Sequence, residues 1–223
     1  MSEAIDFDAV YREFPDYFGR DPDPLLASYV HLLDTSRPVL DVGAGQGRNA
    51  LFLAELGLPV VALDPSRVAV DTIARIAQER EWPIRIFHDD LASFEASEHS
   101  FSAILLFGLL QVLTREEIDS LPGRLNDWIM VGGYLFVTAF TTLDDGYRRT
   151  RAKWEEIGPH SFRSGEGEVR TWLEPGELPR LFAGYEMVHY REGLGPLHRH
   201  GDSPLERHAK VEAVFRVGRG RQS

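Results

Sequence analysis

The chain has no cysteine. Disulfides, thiol nucleophiles and cysteine-ligated zinc are therefore excluded. No apolar run reaches the ~18 residues that a membrane-spanning helix needs. Basic residues are in the minority, 24 Lys and Arg against 35 Asp and Glu, for a net charge of −11. Neutralising phosphates requires a basic face, so no nucleic-acid partner is expected. The opening residues, Met1-Ser2-Glu3-Ala4-Ile5-Asp6, lack the basic and apolar regions of a secretory leader. The expectation is a cytoplasmic protein, with no membrane partner, that handles a small molecule. Internal repeats and low-complexity blocks are also missing. What is present is a globular balance, 43% hydrophobic and 26% charged over 223 residues, enough for one large or two small domains. No linker separates the ends from the middle, so one domain spanning 1–223 is expected. It divides into a helical prefix (1–36), a first half (37–140), a second half (141–217) and a tail (218–223).

Within the first half two kinds of segment alternate. Short apolar runs rich in β-branched residues span Arg37–Val42, Leu58–Asp64, Ile84–His88, Phe101–Phe107 and Tyr134–Phe140. Helical patterns lie between them. Arg48–Leu56 ends at Gly57, Ser66 caps a helix running to Arg80, and Thr114 caps one running to Met130 with Glu116 and Glu117 in its first turn. Val131-Gly132-Gly133 reads as the turn into the next strand. Continuous apolar strands alternating with helices predict an α/β fold, a parallel sheet covered on both faces. The ends differ. Tyr11–Leu33 reads as a helical prefix broken near Arg20-Asp21-Pro22-Asp23-Pro24. Thr142–Arg170 reads as a long charged insert. A short helix (Pro175–Phe182) and two strands (Tyr185–Arg191 and Ala209–Val217) follow, the strands forming an antiparallel pair across a Gly193–His208 loop.

The richest stretch is Asp41-Val42-Gly43-Ala44-Gly45-Gln46-Gly47-Arg48-Asn49, where a strand ends in an acid and a glycine turn leads straight into a helix. A dinucleotide fingerprint needs glycine three residues after the second one, to let the helix approach a pyrophosphate. Arg48 stands there instead. An acid at the strand end repels pyrophosphate but suits a cation, and S-adenosylmethionine carries a sulfonium and an α-amino group with no phosphate. Ligands of open α/β sheets bind at the carboxyl ends of the strands. Asp64, before Pro65, closes the second strand, where a carboxylate can take both ribose hydroxyls; its bland alternative is a helix cap. Asp90 with Leu91 suits an adenine ring, although Asp89 competes and either acid could simply cap a turn. Phe107 either walls the transfer site or is an ordinary core aromatic.

On Asp41-Val42-Gly43-Ala44-Gly45-Gln46-Gly47, Asp64, Asp90-Leu91 and Val131-Gly132-Gly133-Tyr134, the chain resembles the class I S-adenosylmethionine-dependent methyltransferases over roughly 37–140. That resemblance implies a three-layer Rossmann-like fold, with a mostly parallel seven-stranded sheet whose last strand is antiparallel. It also implies an S-adenosylmethionine site formed by Asp41, Gly43, Ala44, Gly45, Gln46, Gly47, Asn49, Asp64, Pro65, Asp90, Leu91 and Phe107. Gly47-Arg48-Asn49, Pro175-Gly176-Glu177-Leu178 and Gly195-Pro196-Leu197-His198-Arg199 are more narrowly similar to the tellurite-resistance methyltransferases of the TehB type. Departures fall in the 142–170 insert, the prefix and Ala44, where that branch often has cysteine.

Methyl transfer from a sulfonium is an in-line displacement. The protein's task is alignment and a dry pocket. An O–H or N–H acceptor also needs a base, whereas a tellurite or selenite oxyanion has a lone pair ready and needs cations for its oxygens. The narrower resemblance implies His198, Arg199 and, with one inserted residue, Arg207 beside the acceptor. The expected reaction is methylation of a chalcogen oxyanion. The alternatives are methylation of an organic S, O or N acceptor and a non-catalytic cofactor-binding role. His198, His200 and His208 are possible metal ligands by type, but no i, i+4 His pair or carboxylate set supports them, and no metal is expected. Arg148, Arg149, Arg151 and Lys153 read as a solvated helix face rather than a lid. Tyr17 and Phe18 either fold over the cofactor or staple the prefix to the core.

Overall fold

The computed structural model describes residues 6–195, 197 and 207–218. Its centre is a seven-stranded sheet in the order β3-β2-β1-β4-β5-β10-β9. The strands are β1 (Val39–Val42), β2 (Val60–Asp64), β3 (Ile84–His88), β4 (Phe101–Phe107), β5 (Ile129–Phe140), β9 (Glu186–Leu194) and β10 (Ala209–Arg216). Pairing is parallel from β3 to β5, and β10 runs antiparallel to both β5 and β9. This is the expected mixed sheet. Every residue of β1 and β2 is buried, which is why these strands read as near-continuous apolar runs, interrupted only by Asp41 and Asp64, rather than as alternation.

Successive side chains of each strand serve opposite helix layers. Leu40, Val42, Ile104 and Leu106 join one core with Ile118, Leu121, Leu125 and Trp128 of helix α5 (Arg115–Trp128). Val39, Ala103 and Leu105 face the other. There they meet Ala50 and Leu53 of α3 (Arg48–Glu55), Ile73 of α4 (Arg67–Arg80) and Leu25 and Leu26 of α2 (Pro24–Tyr29). The period-two rule puts Asp41 on this second face, beneath the start of α3.

Helix starts follow the expected chemistry. Ser66 caps α4 by accepting the Ala69 N–H at 3.1 Å. Thr114 and Glu117 form a reciprocal capping box on α5. That helix stops at Trp128, two residues before the expected end. Val131-Gly132-Gly133 does not form a turn either. β5 begins at Ile129, and its register against β4 slips between Phe101 and Ala103. The physical reason is a kink: Gly132 has φ +84°, and a Cβ on Gly133 would lie 2.7 Å from the Ser102 carbonyl oxygen. Glycine lets β5 bend and still pair with β4.

The prefix is helical and broken as expected, into α1 (Phe7–Glu13) and α2, though α1 starts before Tyr11 and the break spans 14–23. The insert is folded. It holds α6 (Asp145–Arg151) and a three-stranded sheet of β6 (Glu155–Gly158), β7 (Ser161–Arg163) and β8 (Val169–Thr171). Tyr147, Phe162 and Trp172 form its core. Arg115 of α5 clamps it, donating to the carbonyls of Pro159 and Trp172 at 3.1 Å each and pairing with Glu177 of α7 (Glu177–Leu181). Arg148, Arg149, Arg151 and Lys153 are exposed, as expected of a solvated face. None of the helices, among the described residues, is long and apolar enough to cross a membrane.

Candidate active site

The carboxyl ends of β1, β2, β4 and β5 open into a cavity of about 780 Å³. This lies within the usual range for small-molecule sites. A smaller hollow of about 400 Å³, around Pro38, Pro59 and Trp82, sits at the amino ends of the strands, away from the glycine turn.

The turn forms the near wall. Gly43, Gly45 and Gly47 all take left-handed φ values, +68°, +54° and +89°. The N–H groups of Gly43 and Ala44 both point to the Leu63 carbonyl, at 2.8 and 3.1 Å, which ties the turn to β2. A Cβ on Gly47 would lie 2.6 Å from Ile73 Cγ1, so glycine here lets α3 and α4 approach. Gly47 is also the N-cap of α3 and offers no side chain to it. Asp41 lies in the strand below, close enough to the first turn of α3 that the Ala50 N–H helps to lower its carboxyl. One oxygen, Asp41 Oδ2, is buried without a hydrogen-bond partner. Burial pushes the carboxyl up to about 7; Arg48 pulls it down and Asp64 pushes it further up.

Asp64 lies across the turn. Its two oxygens accept the N–H groups of Gly45 (2.7 Å) and Ser66 (2.8 Å). Each carboxylate oxygen has two lone-pair sites, so the backbone fixes the group and leaves capacity on both oxygens. Burial raises its pKa, and those two N–H bonds oppose the rise.

The prefix forms the roof. Gln46 holds it: its Nε2 donates to the carbonyls of Phe14 (3.0 Å) and Tyr11 (3.4 Å), and its Oε1 accepts the Tyr17 N–H at 3.0 Å. Asn49 Oδ1 accepts the Asp23 N–H at 2.8 Å, and Arg48 reaches Asp23 and the Phe18 carbonyl at 3.4 Å each. Asp8 binds the Ser66 hydroxyl (2.5 Å) and the Val68 N–H (3.2 Å), and these bonds hold its carboxyl below the ordinary range. Phe18 lines the cavity, and the Tyr17 N–H bond to Gln46 staples the prefix to the glycine turn.

The sequence-predicted residues separate into groups. Gly43, Ala44, Gly45, Gln46, Asn49, Asp64, Pro65 and Phe107 line the cavity, with Asp41 and Gly47 supporting the turn from behind. Asp90 and Leu91 do not line it in this structure. Asp90 and Asp89 both bind the Ser93 hydroxyl, at 2.6 and 2.5 Å, and Asp90 accepts the Ser93 N–H, the capping arrangement weighed as the alternative. The Ser93 bonds lower the Asp90 carboxyl. Arg207 is exposed and does not line the cavity. His198 and Arg199, like His200, lie outside the described residues. No cluster of three His, Asp or Glu side chains fit to hold a metal forms among the described residues.

Sequence reasoning missed the far wall. Gln111, Thr138, Phe140, His208 and Lys210 line it, and Asp144 stands behind His208. A local signal existed only for His208, in the His-rich loop. Charge therefore varies across the cavity, with Asp6, Asp8, Asp64 and the Asp23–Arg48 pair around the turn and Lys210 opposite, beside His208.

Strand order gives the chain the class I methyltransferase fold. Residues 39–133 match the family described as a methyltransferase domain. The chain is similar to the probable S-adenosyl-L-methionine-dependent methyltransferase TehB of Haemophilus influenzae, 24% identical over 194 residues. The match covers 85% of this chain and 61% of that protein, so the chain spans about three-fifths of the length of these relatives. The TehB crystal structure superposes with a TM-score of 0.69 at 20% identity, over 95% of this chain and 67% of that one. A Burkholderia thailandensis 1,6-didemethyltoxoflavin-N1-methyltransferase, solved with its substrate and S-adenosylhomocysteine, gives 0.67 at 19% identity, over 96% and 86%.

Proposed function

We propose that the protein transfers a methyl group from S-adenosylmethionine to a small acceptor held in the same cavity. The observation that carries this is Asp41 Oδ2, a buried carboxylate oxygen without a partner under a glycine turn ringed by acids. Such a site favours a cation and disfavours a pyrophosphate. When bound, S-adenosylmethionine supplies a methyl carbon already activated on a sulfonium. Gly43 and Gly45 give backbone room for its amino-acid end, Asp64 accepts the ribose hydroxyls, and Phe107 walls the reacting carbon. Asp90 and Leu91 serve adenine after the Asp90 side chain turns from Ser93.

A narrower reading takes the acceptor to be tellurite or selenite. Likeness to TehB supports it, and His198, Arg199 and Arg207 are the cations that would hold the oxygens. The test is incubation with methyl-labelled S-adenosylmethionine and a panel of tellurite, selenite, thiol, thiopurine and phenol acceptors, with volatile and soluble products analysed. Tight cofactor binding without turnover would instead mark a binding protein.

A further inference from the structure

We propose that Lys210 determines specificity on the acceptor side of the cavity, and that the acceptor is an organic anion. Its body is flat and apolar, and its carboxylate or similar anionic group pairs with the Lys210 ammonium. This deepens the methyltransferase reading above and rests on it. Lys210 lies on β10 and lines the cavity opposite the glycine turn. Backbone pairing puts Phe140 on one side of it and Gly193 on the other. A Cβ on Gly195 would stand 3.6 Å from Lys210 Cε, so the lysine stem runs along bare backbone.

The local charge balance leaves a positive surplus at this wall. Lys210 Nζ is 3.2 Å from Glu212 Oε2, two residues along on the same face of β10. Glu212 is shared. Its Oε1 is also 3.9 Å from an Arg191 guanidinium nitrogen and 3.6 Å from His189 Nε2. One carboxylate therefore faces two permanent cations and a histidine. An ammonium has three donors, and a single carboxylate does not saturate them. Among the described residues, no second carboxylate lies within ion-pair distance of Lys210. His208, next along the wall, is paired with Asp144 at 2.9 Å, so any charge on it is matched where it stands. The acids that line the cavity lie across it, around the glycine turn. Lys210 is thus the group among the described residues that draws an anion to the acceptor side.

The surface around it is mostly apolar. Phe107, Leu109, Val112 and Phe140 line the cavity. Of the polar groups among them, the Thr138 hydroxyl already accepts the Gly108 N–H at 3.0 Å, while Gln111 Oε1 is buried without a partner. An inorganic oxyanion needs polar groups on all its oxygens and would face apolar surface on most sides. An aromatic or other flat body covers that surface and leaves its charged end for Lys210.

Binding measurements test this apart from turnover. With S-adenosylhomocysteine bound, calorimetry compares benzoate with benzamide, salicylate with salicylamide and indole-3-acetate with indole-3-acetamide, and selenite is the inorganic anion. At least one carboxylate should bind about tenfold or more tighter than its amide at low salt. The gap should narrow at about 1 M salt. Lys210→Gln should bring that carboxylate down to the level of its amide, and Lys210→Arg should keep most of the gap. Lys210→Gln leaves Glu212 with Arg191 and His189, so the fold survives. S-adenosylmethionine affinity should stay within about twofold in both variants, since the lysine lies across the cavity from the turn. Amides that bind as well as carboxylates, a gap that survives Lys210→Gln, binding of selenite alone, or no carboxylate binding would each overturn the proposal. Failure to bind S-adenosylmethionine and S-adenosylhomocysteine would overturn the cofactor reading beneath it.

Discussion

Replacing Asp41 by Asn isolates what a buried, half-satisfied carboxylate does to this fold. The unfolded chain releases this proton near 3.8, whereas the folded chain holds it to about 7. A folded-state pKa above the unfolded one means stability that is complete below pH 3.8 and is lost as pH rises to 7. At about 1.4 kcal/mol per pH unit, the loss reaches about 4 kcal/mol above pH 7. Asparagine is nearly isosteric and carries no charge at any pH. Ligand-free Asp41→Asn should therefore be more stable than the wild type. The gap should widen by about 3 kcal/mol between pH 5 and pH 8. Asp64 also titrates high but is present in both proteins, so it cancels to first order.

Urea unfolding at half-unit pH steps gives the difference directly. Binding should move the opposite way. A cationic ligand favours ionised Asp41, so wild-type affinity for S-adenosylmethionine should strengthen up to about tenfold from pH 6 to pH 7. The variant should bind at least about tenfold more weakly and lose that dependence. Parallel stability curves from pH 5 to pH 8 would refute the burial argument. Wild-type affinity in the variant would refute the assignment of the orphan oxygen to the cofactor's cation.

Gly47→Ala forces a Cβ against Ile73 at 2.6 Å and a left-handed φ on alanine; thermal melts should show about 2–4 kcal/mol lost, with part restored by adding Ile73→Ala. Gln46→Ala removes the bonds that hold Tyr11, Phe14 and Tyr17; limited proteolysis should cut the prefix faster, and added S-adenosylmethionine should slow the cut again. Asp64→Ala frees the Gly45 and Ser66 N–H groups and removes the proposed ribose acceptor; calorimetry should show cofactor affinity down roughly 100-fold.

Much of this arrangement was legible because it is local. Buried parallel strands are apolar at most positions, so β1, β2 and β4 stand out despite Asp41, Asp64 and Ser102, and Ser66 and Thr114 announce helix starts within three residues of the groups they cap. The glycine turn was legible for the same reason, since its left-handed residues must be glycine whatever surrounds them. β6, β7 and β8 were not legible. Each has three or four residues, too few to display a period, and their core joins Tyr147, Phe162 and Trp172 across the insert. Val131-Gly132-Gly133 misled because two glycines mark a turn and a kinked strand equally well.

The same distinction separates the two ends of the cavity. The proposed cofactor side is built from consecutive residues on three strand ends, and a motif can record it. The far wall is built from a pairing 64 residues apart, between Asp144 in the insert and His208 at β10. Neither residue has a neighbour in sequence that announces the other. Asp144 also explains what the insert contributes: its α6 is capped by the same carboxylate that orients the cavity histidine. The insert therefore touches this wall through Asp144, although none of its residues is among those lining the cavity. The far wall is thus tied through Asp144 to the insert, one of the places where the chain departs from the TehB-type pattern.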